Sequence, residues 1–143
     1  MPLTILIVDD EPLAREGLRM LLSQDTDVAA IHEARDGREA VEAIGGTRPD
    51  LVLLDVQMPE MDGFAVVREV GAENMPAVVF VTAHDQYAIR AFEINAIDYL
   101  LKPVTEERFC QALARAKARL STRPADDASR QILSLLETIT APR

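Results

Sequence analysis

The sequence is poor in cysteine, in aromatic side chains and in positive charge. Its 143 residues include one cysteine and no tryptophan, the aromatic content is 4%, and the net charge is −9. One cysteine excludes an internal disulfide framework and suits a reducing, cytoplasmic compartment; Cys110 is expected to be a small buried or half-buried helix residue. Without tryptophan and with excess negative charge, this chain alone is not expected to bind nucleic acid.

Long apolar runs are missing as well. No stretch approaches the roughly 20 apolar residues of a membrane helix, and the first residues lack the basic region of a signal peptide. No membrane contact is therefore expected. The chain does contain 48% hydrophobic and 27% charged residues, which is typical of a globular protein. Its length suits one domain with its own hydrophobic core.

Short apolar runs alternate with segments of helical periodicity. The runs are expected to be strands over residues 3–8, 28–33, 51–54, 77–81 and 96–101. This alternation predicts an α/β fold in which helices cover both faces of a doubly wound parallel sheet. The side chains predicted to face inward on the five helices are Leu13, Leu18, Leu21, Leu22, Ala40, Val41, Ile44, Phe64, Val67, Val70, Ile89, Phe92, Phe109, Leu113, Ala116 and Leu120.

Turn and capping residues predict where the helices begin and end. Pro12 suits the first turn of the first helix, and the pair Gly45-Gly46 is expected to end the second. Asp85 is a candidate cap for a fourth helix over residues 86–94, and Thr105 for the fifth helix.

Polar side chains follow four of the predicted strands. Asp9 and Asp10 follow the first strand, Asp55 the third, Thr82 the fourth and Lys102 the fifth. The carboxyl ends of parallel strands share one edge of a sheet, where ligands bind. Clustered carboxylates need a cation, and hard oxygen ligands suit Mg²⁺, with Mn²⁺ as an alternative. An aspartate can accept a phosphoryl group, although each of these residues, taken singly, also suits a structural role as a turn, cap or surface residue.

The order and spacing of these residues resemble the receiver domain of two-component response regulators over about residues 3–120. The motifs that carry the resemblance are Asp9-Asp10, Asp55 with Met58-Pro59 and Asp62-Gly63, Thr82-Ala83, and Lys102-Pro103. The resemblance implies a flavodoxin-like (βα)5 sheet with strand order 2-1-3-4-5. It also implies a signalling phosphoacceptor that is not an enzyme, beyond slow self-phosphorylation and self-dephosphorylation.

The same resemblance implies a role for each site residue. Asp55 would accept a phosphoryl group from a sensor histidine kinase. Magnesium would be held by Asp9, Asp10, Asp55 and the backbone carbonyl of Gln57. The phosphoryl group would be contacted by Thr82, Ala83 and Lys102, with Tyr99 as the aromatic partner of the switch. The Lys102–Pro103 bond would be cis. Gln57 and His84 would lie at positions that tune the lifetime of the acyl phosphate, and His32 would be structural.

Three segments, 82–88, 91–93 and 96–103, resemble the receivers of LytTR-type (LytR/AlgR-like) regulators, in which a DNA-binding domain follows the receiver. Residues 1–121 are then the receiver domain. Residues 122–143 are a polar linker with a short amphipathic helix, expected to lead to an output domain absent from this chain. A stand-alone receiver that acts by protein contact is the alternative.

The resemblance also implies that the fourth helix, fifth strand and fifth helix form a homodimer surface that controls the output. The charged residues expected to make contacts there are Arg90, Glu93, Asp98, Arg115 and Arg119. Phe92 and Phe109 are expected to lie in the core instead.

Two other phosphate-handling classes fit the sequence less well. A haloacid dehalogenase-type phosphatase typically has a second aspartate two residues after its nucleophile, as acid and base, and Gln57 occupies that position. A nucleotidase with a P-loop needs a glycine-rich loop that ends in Gly-Lys-Ser or Gly-Lys-Thr, and the sequence has none.

Overall fold

The computed structural model describes residues 2–121 as a five-stranded parallel sheet flanked by helices. The elements in chain order are β1 (Leu3–Val8), α1 (Pro12–Ser23), β2 (Val28–Ala34), α2 (Gly37–Thr47), β3 (Leu51–Leu54), α3 (Gly63–Val70), β4 (Ala77–Thr82), α4 (Ala88–Glu93), β5 (Asp98–Leu101) and α5 (Glu106–Leu120). The strand order is β2-β1-β3-β4-β5. This confirms the predicted fold class and strand order. The predicted linker and helix of residues 122–143 lie outside the described part of the chain.

The register brings the carboxyl ends of β1 and β3 to one level, and the neighbouring β4 extends two residues further, to Thr82. Val8 pairs with Leu54 and Leu54 pairs with Phe80. The backbone N–H of Asp55 donates to the carbonyl of Val8 at 3.0 Å, so the ladder continues one residue past β3. Asp9 and Asp55 therefore follow the ends of two neighbouring strands and lie side by side.

Both faces of the sheet are buried, which explains why the strands are nearly continuous apolar runs. On one face, Leu6, Val52 and Phe80 pack with Ile44 of α2 and Phe64 of α3. The other face contains a second set of buried residues, from the alternate strand positions and from α1 and α5: Ile5, Ile7, Leu53, Val79, Leu18, Leu22, Phe109 and Leu113. The alternation places α2, α3 and α4 on one side and α1 and α5 on the other.

Three helices carry side-chain caps. Asp36, Asp62 and Thr105 each accept a hydrogen bond from a backbone N–H three residues later, at 2.8, 2.8 and 3.2 Å. Pro12 is the first residue of α1. The cap at Thr105 and the position of Pro12 in the first turn of α1 agree with the sequence-based prediction. The Thr105 side chain satisfies a backbone N–H that has no partner within the helix, and Pro12 has no such N–H.

Two predicted helix boundaries are wrong. Gly45 and Gly46 do not end α2, which continues to Thr47; Arg48, in the left-handed conformation with φ 46°, ends it instead. A following proline favours this exit because it cannot continue the helix. Asp85 does not cap α4 with its side chain; its backbone carbonyl accepts from the N–H of Ala88 at 3.3 Å.

Four residues predicted to be buried are exposed. Leu13 is 80% exposed because it lies five positions before Leu18, which is about 140° around an α-helix. Ile89 and Phe92 are 77% and 58% exposed, because α4 has six residues and packs on the sheet through Ala91. Cys110 is exposed on α5. By contrast, Phe109 is buried as predicted.

Within residues 2–121, no helix combines the length and the apolarity needed to cross a bilayer.

Candidate functional site

Three acidic side chains meet at the carboxyl edge of the sheet. Asp9, Asp10 and Asp55 each place a carboxylate oxygen within 4.8 Å of the others. Asp9 and Asp55 are buried, whereas Asp10 is exposed. β1 and β3 are adjacent and end in register, so the two buried carboxylates are brought together by the backbone itself. The sequence-predicted acidic cluster therefore forms in the folded chain.

The ammonium of Lys102 lies between the buried carboxylates. Its Nζ is 2.7 Å from Oδ2 of Asp9, 3.2 Å from Oδ2 of Asp55 and 3.5 Å from Oε1 of Glu11. The backbone N–H of Lys102 donates to the carbonyl of Thr82 at 2.8 Å, and the Lys102–Pro103 peptide bond is cis. The loop after β5 is thus held against the end of β4, with its lysine directed into the acidic cluster.

Burial dominates the electrostatics of this cluster. Desolvation, with a further contribution from the charge of Asp9, raises the pKa of the Asp55 carboxyl; Lys102 and the Thr82 hydroxyl oppose that rise without cancelling it. Desolvation by itself would lower the pKa of the Lys102 ammonium, but the hydrogen bond to Asp9 and the charge of Asp55 outweigh it, so the pKa is raised. Lys102 is therefore charged at neutral pH and compensates only part of the negative charge.

The donor set fits a hard divalent cation. Asp9, Asp10 and Asp55 offer three carboxylates against the single ammonium of Lys102. Oxygen ligands of this kind suit Mg²⁺, which takes one or two carboxylates, phosphate oxygens and waters. The exposed position of Asp10 leaves one side of the cluster open to solvent.

The turn after β3 packs tightly behind Asp55. The backbone N–H of Gln57 donates to Oδ1 of Asp55 at 3.2 Å, and the N–H of Gly63 donates to the carbonyl of Val56 at 2.8 Å. A Cβ atom on Gly63 would lie 2.4 Å from the carbonyl oxygen of Asp55. Glycine is needed here for the close approach. An open cleft of about 440 Å³ lies beside this turn, lined by residues that include Asp10, Gln57 and Asp62.

The hydroxyl of Thr82 acts on the charge of Asp55 from the end of β4. Thr82 is completely buried; its hydroxyl lowers the pKa of the Asp55 carboxyl and accepts a hydrogen bond from the N–H of His84 at 3.4 Å. Ala83 follows in the exposed loop. The Tyr99 hydroxyl donates to the carbonyl of His84. Tyr99 is therefore tied to the loop that carries Thr82.

Asp98, one of the charged residues predicted to make dimer contacts, is ion-paired within the chain. The Asp98 carboxylate is 7% exposed and is held by Arg108 in a bidentate pair, at 2.6 and 2.8 Å, with Arg115 at 3.2 Å. Burial would raise its pKa, but Arg108 overrides that effect and the pKa is lowered. The guanidinium of Arg90, a second predicted contact, lies 4.3 Å from the centre of the Phe64 ring.

Sequence reasoning missed Tyr87. Its hydroxyl accepts a hydrogen bond from Nε2 of Gln57 at 3.0 Å, and its ring contacts those of Phe64 and His84. The two hydrogen-bonded residues are thirty positions apart, and no periodicity or motif in one sequence signals such a contact. The structure thus adds an aromatic side chain to the opening of the site.

Comparison with known proteins gives one consistent result. The chain matches the family described as response regulator receiver domain over residues 5–114. The transcriptional regulatory protein BtsR of Escherichia coli (strain K12) is 46% identical over 117 residues, which cover 82% of this chain and 49% of BtsR. The chain thus spans about half the length of the curated relatives it matches.

Solved structures agree with that match. The signal receiver domain of the putative response regulator NarL from Mycobacterium tuberculosis is 37% identical, with a TM-score of 0.72 and coverage of 81% of this chain and 97% of that one. The receiver (REC) domain of AraT, a response regulator from Geobacillus stearothermophilus, is 34% identical, with a TM-score of 0.75 and coverage of 84% and 96%.

Proposed function

This chain belongs to the response regulator receiver domain family, and we propose that it takes a phosphoryl group from a sensor histidine kinase onto Asp55. The observation that supports this most is the buried Asp55 carboxylate, which contacts Lys102 beside two further aspartates. The lysine and the two further aspartates each have a part in phosphoryl transfer. The carboxylate of Asp55 then serves as the acceptor.

The transfer is a substitution at phosphorus. A carboxylate oxygen of Asp55 bonds to the phosphorus of the phosphohistidine, the phosphorus–nitrogen bond breaks, and the imidazole nitrogen takes a proton from solvent. Lys102, 3.2 Å from Asp55, holds the phosphoryl oxygens, and the Thr82 hydroxyl turns to one of them. Gln57 cannot serve as the second acid and base of a haloacid dehalogenase-type phosphatase, so the role is that of a signalling phosphoacceptor and not of a turnover enzyme.

The cation site consists of Asp9, Asp10 and Asp55, with the backbone carbonyl of Gln57 as a fourth ligand. When bound, Mg²⁺ or Mn²⁺ would neutralise the negative charge on the phosphoryl oxygens. The buried Asp9 also keeps its hydrogen bond from the N–H of Glu11, at 2.9 Å, which fixes the orientation of one ligand in advance.

The switch connects Asp55 to the α4–β5–α5 face. When the Thr82 side chain turns to the phosphoryl group, the loop that follows Thr82 shifts. The Tyr99 hydroxyl then gives up its hydrogen bond to the carbonyl of His84. The face carries exposed apolar side chains at Ile89, Phe92 and Leu101, which a second copy of the receiver covers in a homodimer.

The output of the switch is control of transcription through a LytTR-type DNA-binding domain. The similarity to BtsR, a transcriptional regulatory protein of about twice the matched length, supports this proposal. A stand-alone receiver that acts by contact is the alternative. Reading the gene beyond codon 143 separates the two: a DNA-binding domain in frame supports the first, and an immediate stop codon supports the second.

Labelling with a small phosphodonor tests the role of Asp55. With acetyl phosphate and Mg²⁺, the wild-type chain should gain the mass of one phosphoryl group, sensitive to hydroxylamine as an acyl phosphate is. Asp55→Asn should abolish the gain, while Asp85→Asn, an exposed aspartate in the β4–α4 loop, should label normally. Equal labelling of Asp55→Asn and wild type would remove Asp55 from the proposed role.

A further inference from the structure

An arginine of α1 holds the backbone between two of the acidic residues of the site. Nη1 of Arg15 donates to the backbone carbonyl of Asp9 at 2.6 Å. That carbonyl belongs to the peptide unit that joins Asp9 to Asp10, and a peptide unit is planar and rigid. A donor that fixes its oxygen therefore also fixes the direction in which the chain continues to the Cα atom of Asp10.

Arg15 is itself held by an acid on the edge strand. Its Nε donates to Oε1 of Glu33 at 3.0 Å, and the Arg15 side chain is only 15% exposed. Glu33 lies in β2, where the carbonyl of the next residue, Ala34, accepts from the N–H of Asp9 at 3.1 Å. Because a guanidinium is a rigid planar fork, the bond to Glu33 directs the other arm of Arg15 at the Asp9 carbonyl.

Asp9 and Asp10 depend on this support to different degrees. The Asp9 carboxylate is buried and already accepts from the N–H of Glu11 at 2.9 Å and from Lys102 at 2.7 Å. Asp10 is exposed, so packing does not fix its side chain, and its place in the acidic cluster is set by the backbone. The peptide unit that Arg15 holds is the one that directly precedes Asp10.

Arg19, one turn further along α1, provides a matched comparison. Its Nε donates to the other oxygen of Glu33, Oε2, at 2.8 Å, and its Nη2 donates to the carbonyl of Ile31 in β2 at 3.3 Å. The two arginines carry the same charge and share one acid. They differ in the carbonyl that the second arm reaches, which is in the middle of β2 for Arg19 and at the acidic cluster for Arg15.

We propose that Arg15 is a positioning residue of the cation site, which holds the Asp9–Asp10 peptide unit so that the two carboxylates keep the spacing that a divalent ion requires. The inference rests on the proposed function, because it takes Asp9 and Asp10 as ligands of Mg²⁺. Its effect has a distinctive sign. The charge of a guanidinium repels a nearby cation, so removal of Arg15 would strengthen binding if charge dominated, whereas loss of positioning weakens it.

Calorimetric titration of the whole chain with Mg²⁺, without a phosphodonor, measures that sign. Arg15→Met removes the charge and both hydrogen bonds, and Mg²⁺ should bind about tenfold more weakly, the lower end of the loss that follows removal of a group supporting a metal ligand. Arg19→Met removes the same charge and a bond to the same Glu33 but leaves the Asp9 carbonyl its donor. It should bind Mg²⁺ like wild type.

A second substitution at Asp10 shows whether Arg15 acts through that residue. In an Asp10→Asn background, Arg15→Met should weaken Mg²⁺ binding little further, because the carboxylate that Arg15 places is already gone. A full additional loss in the double variant would mean that Arg15 does not act through Asp10, contrary to the proposal.

The Mg²⁺ dependence of labelling by acetyl phosphate separates cation binding from general loosening of the site. Arg15→Met should need more Mg²⁺ for half-maximal labelling, by the same factor as in the titration, and should reach the wild-type rate at saturation. A rate that stays low at saturating Mg²⁺ would contradict a role confined to the cation site.

Mg²⁺ affinity in Arg15→Met equal to or tighter than that of wild type, or an equal loss in Arg19→Met, would overturn the role of Arg15. If Arg15→Met does not fold, Arg15→Lys decides, because it keeps the charge without the fork: weaker binding supports positioning, and wild-type affinity refutes it. A wild-type chain that binds no Mg²⁺ would instead contradict the cation site of the proposed function, so the two failures are distinguishable.

Discussion

Two lysines in this protein each lie between a pair of aspartates, at opposite edges of the sheet. Lys102 is at the carboxyl edge, and Lys117 is near the turn between α1 and β2. The nitrogen–oxygen distances are 2.7 and 3.2 Å to Asp9 and Asp55, and 2.6 and 2.9 Å to Asp25 and Asp27. The two groups of charges are therefore almost the same in composition and in geometry.

Burial is what separates them. The side chains of Asp9 and Asp55 are 1% and 6% exposed, while those of Asp25 and Asp27 are 22% and 47% exposed. Desolvation raises the pKa of Asp55, whereas the hydrogen bond from Lys117 lowers that of Asp25. The ion pairing stabilises the exposed cluster around Lys117. In the buried cluster around Lys102 the same pairing leaves excess negative charge, which favours binding of a cation.

Removal of each lysine should produce the largest difference in stability between the two clusters. Lys102→Met leaves two buried carboxylates without their ammonium and should lower the free energy of unfolding by about 3 kcal/mol at neutral pH without Mg²⁺. Lys117→Met leaves solvated carboxylates and should cost less than about 1 kcal/mol. Urea unfolding measures both, and equal losses would show that burial does not distinguish the clusters.

Two glycines differ in how tightly their surroundings pack. Gly63→Ala places a Cβ atom 2.4 Å from the Asp55 carbonyl oxygen and should destabilise the fold by about 1–3 kcal/mol. A Cβ atom on Gly46, in α2, meets open space among the described residues. Gly46→Ala should therefore stabilise the fold by about 0.5–1 kcal/mol. Thermal unfolding of both variants checks the prediction, and a tolerated Gly63→Ala would refute the tight packing behind Asp55.

Substitution of single aspartates should have smaller effects of opposite sign. Because the folded pKa of Asp55 is above its ordinary 3.8, ionisation penalises the fold increasingly as pH rises through that interval. Asp55→Asn should therefore be more stable than wild type at pH 7 without Mg²⁺, and this advantage should vanish as pH falls to 3.8. The folded pKa of Asp25 is below 3.8, so Asp25→Asn should be less stable at pH 7, with the deficit fading as pH falls through the folded pKa.

Unfolding curves from pH 3 to pH 7 measure both differences. Shifts of the same sign in Asp55→Asn and Asp25→Asn would mean that the two carboxylates experience the same environment.

The sequence predicts the sheet and its acidic edge well, because both depend on local patterns. Residues 51–54 are all buried, as an unbroken apolar run in a parallel sheet should be, and the acids at the ends of β1 and β3 meet because neighbouring strands end together. The positions of Asp9, Asp55, Thr82 and Lys102 at one edge follow from chain order alone.

What could not be predicted depends on contacts between distant segments. The exposure of Phe92 reflects how short α4 is, and the pairing of Asp98 with Arg108 depends on how α5 docks. The Tyr87–Gln57 bond joins two loops. Helical spacing and residue type are the same whether these side chains face the core, a partner or each other.

Calorimetric titration with Mg²⁺ tests most directly the central claim, that the carboxylates of Asp9, Asp10 and Asp55 at the carboxyl edge form a cation site and that those of Asp25 and Asp27 around Lys117 do not. Wild type should bind one ion, Asp10→Asn should bind about tenfold more weakly or worse, and Asp25→Asn should bind like wild type. No saturable binding at millimolar Mg²⁺, or equal affinity in wild type and Asp10→Asn, would contradict the account.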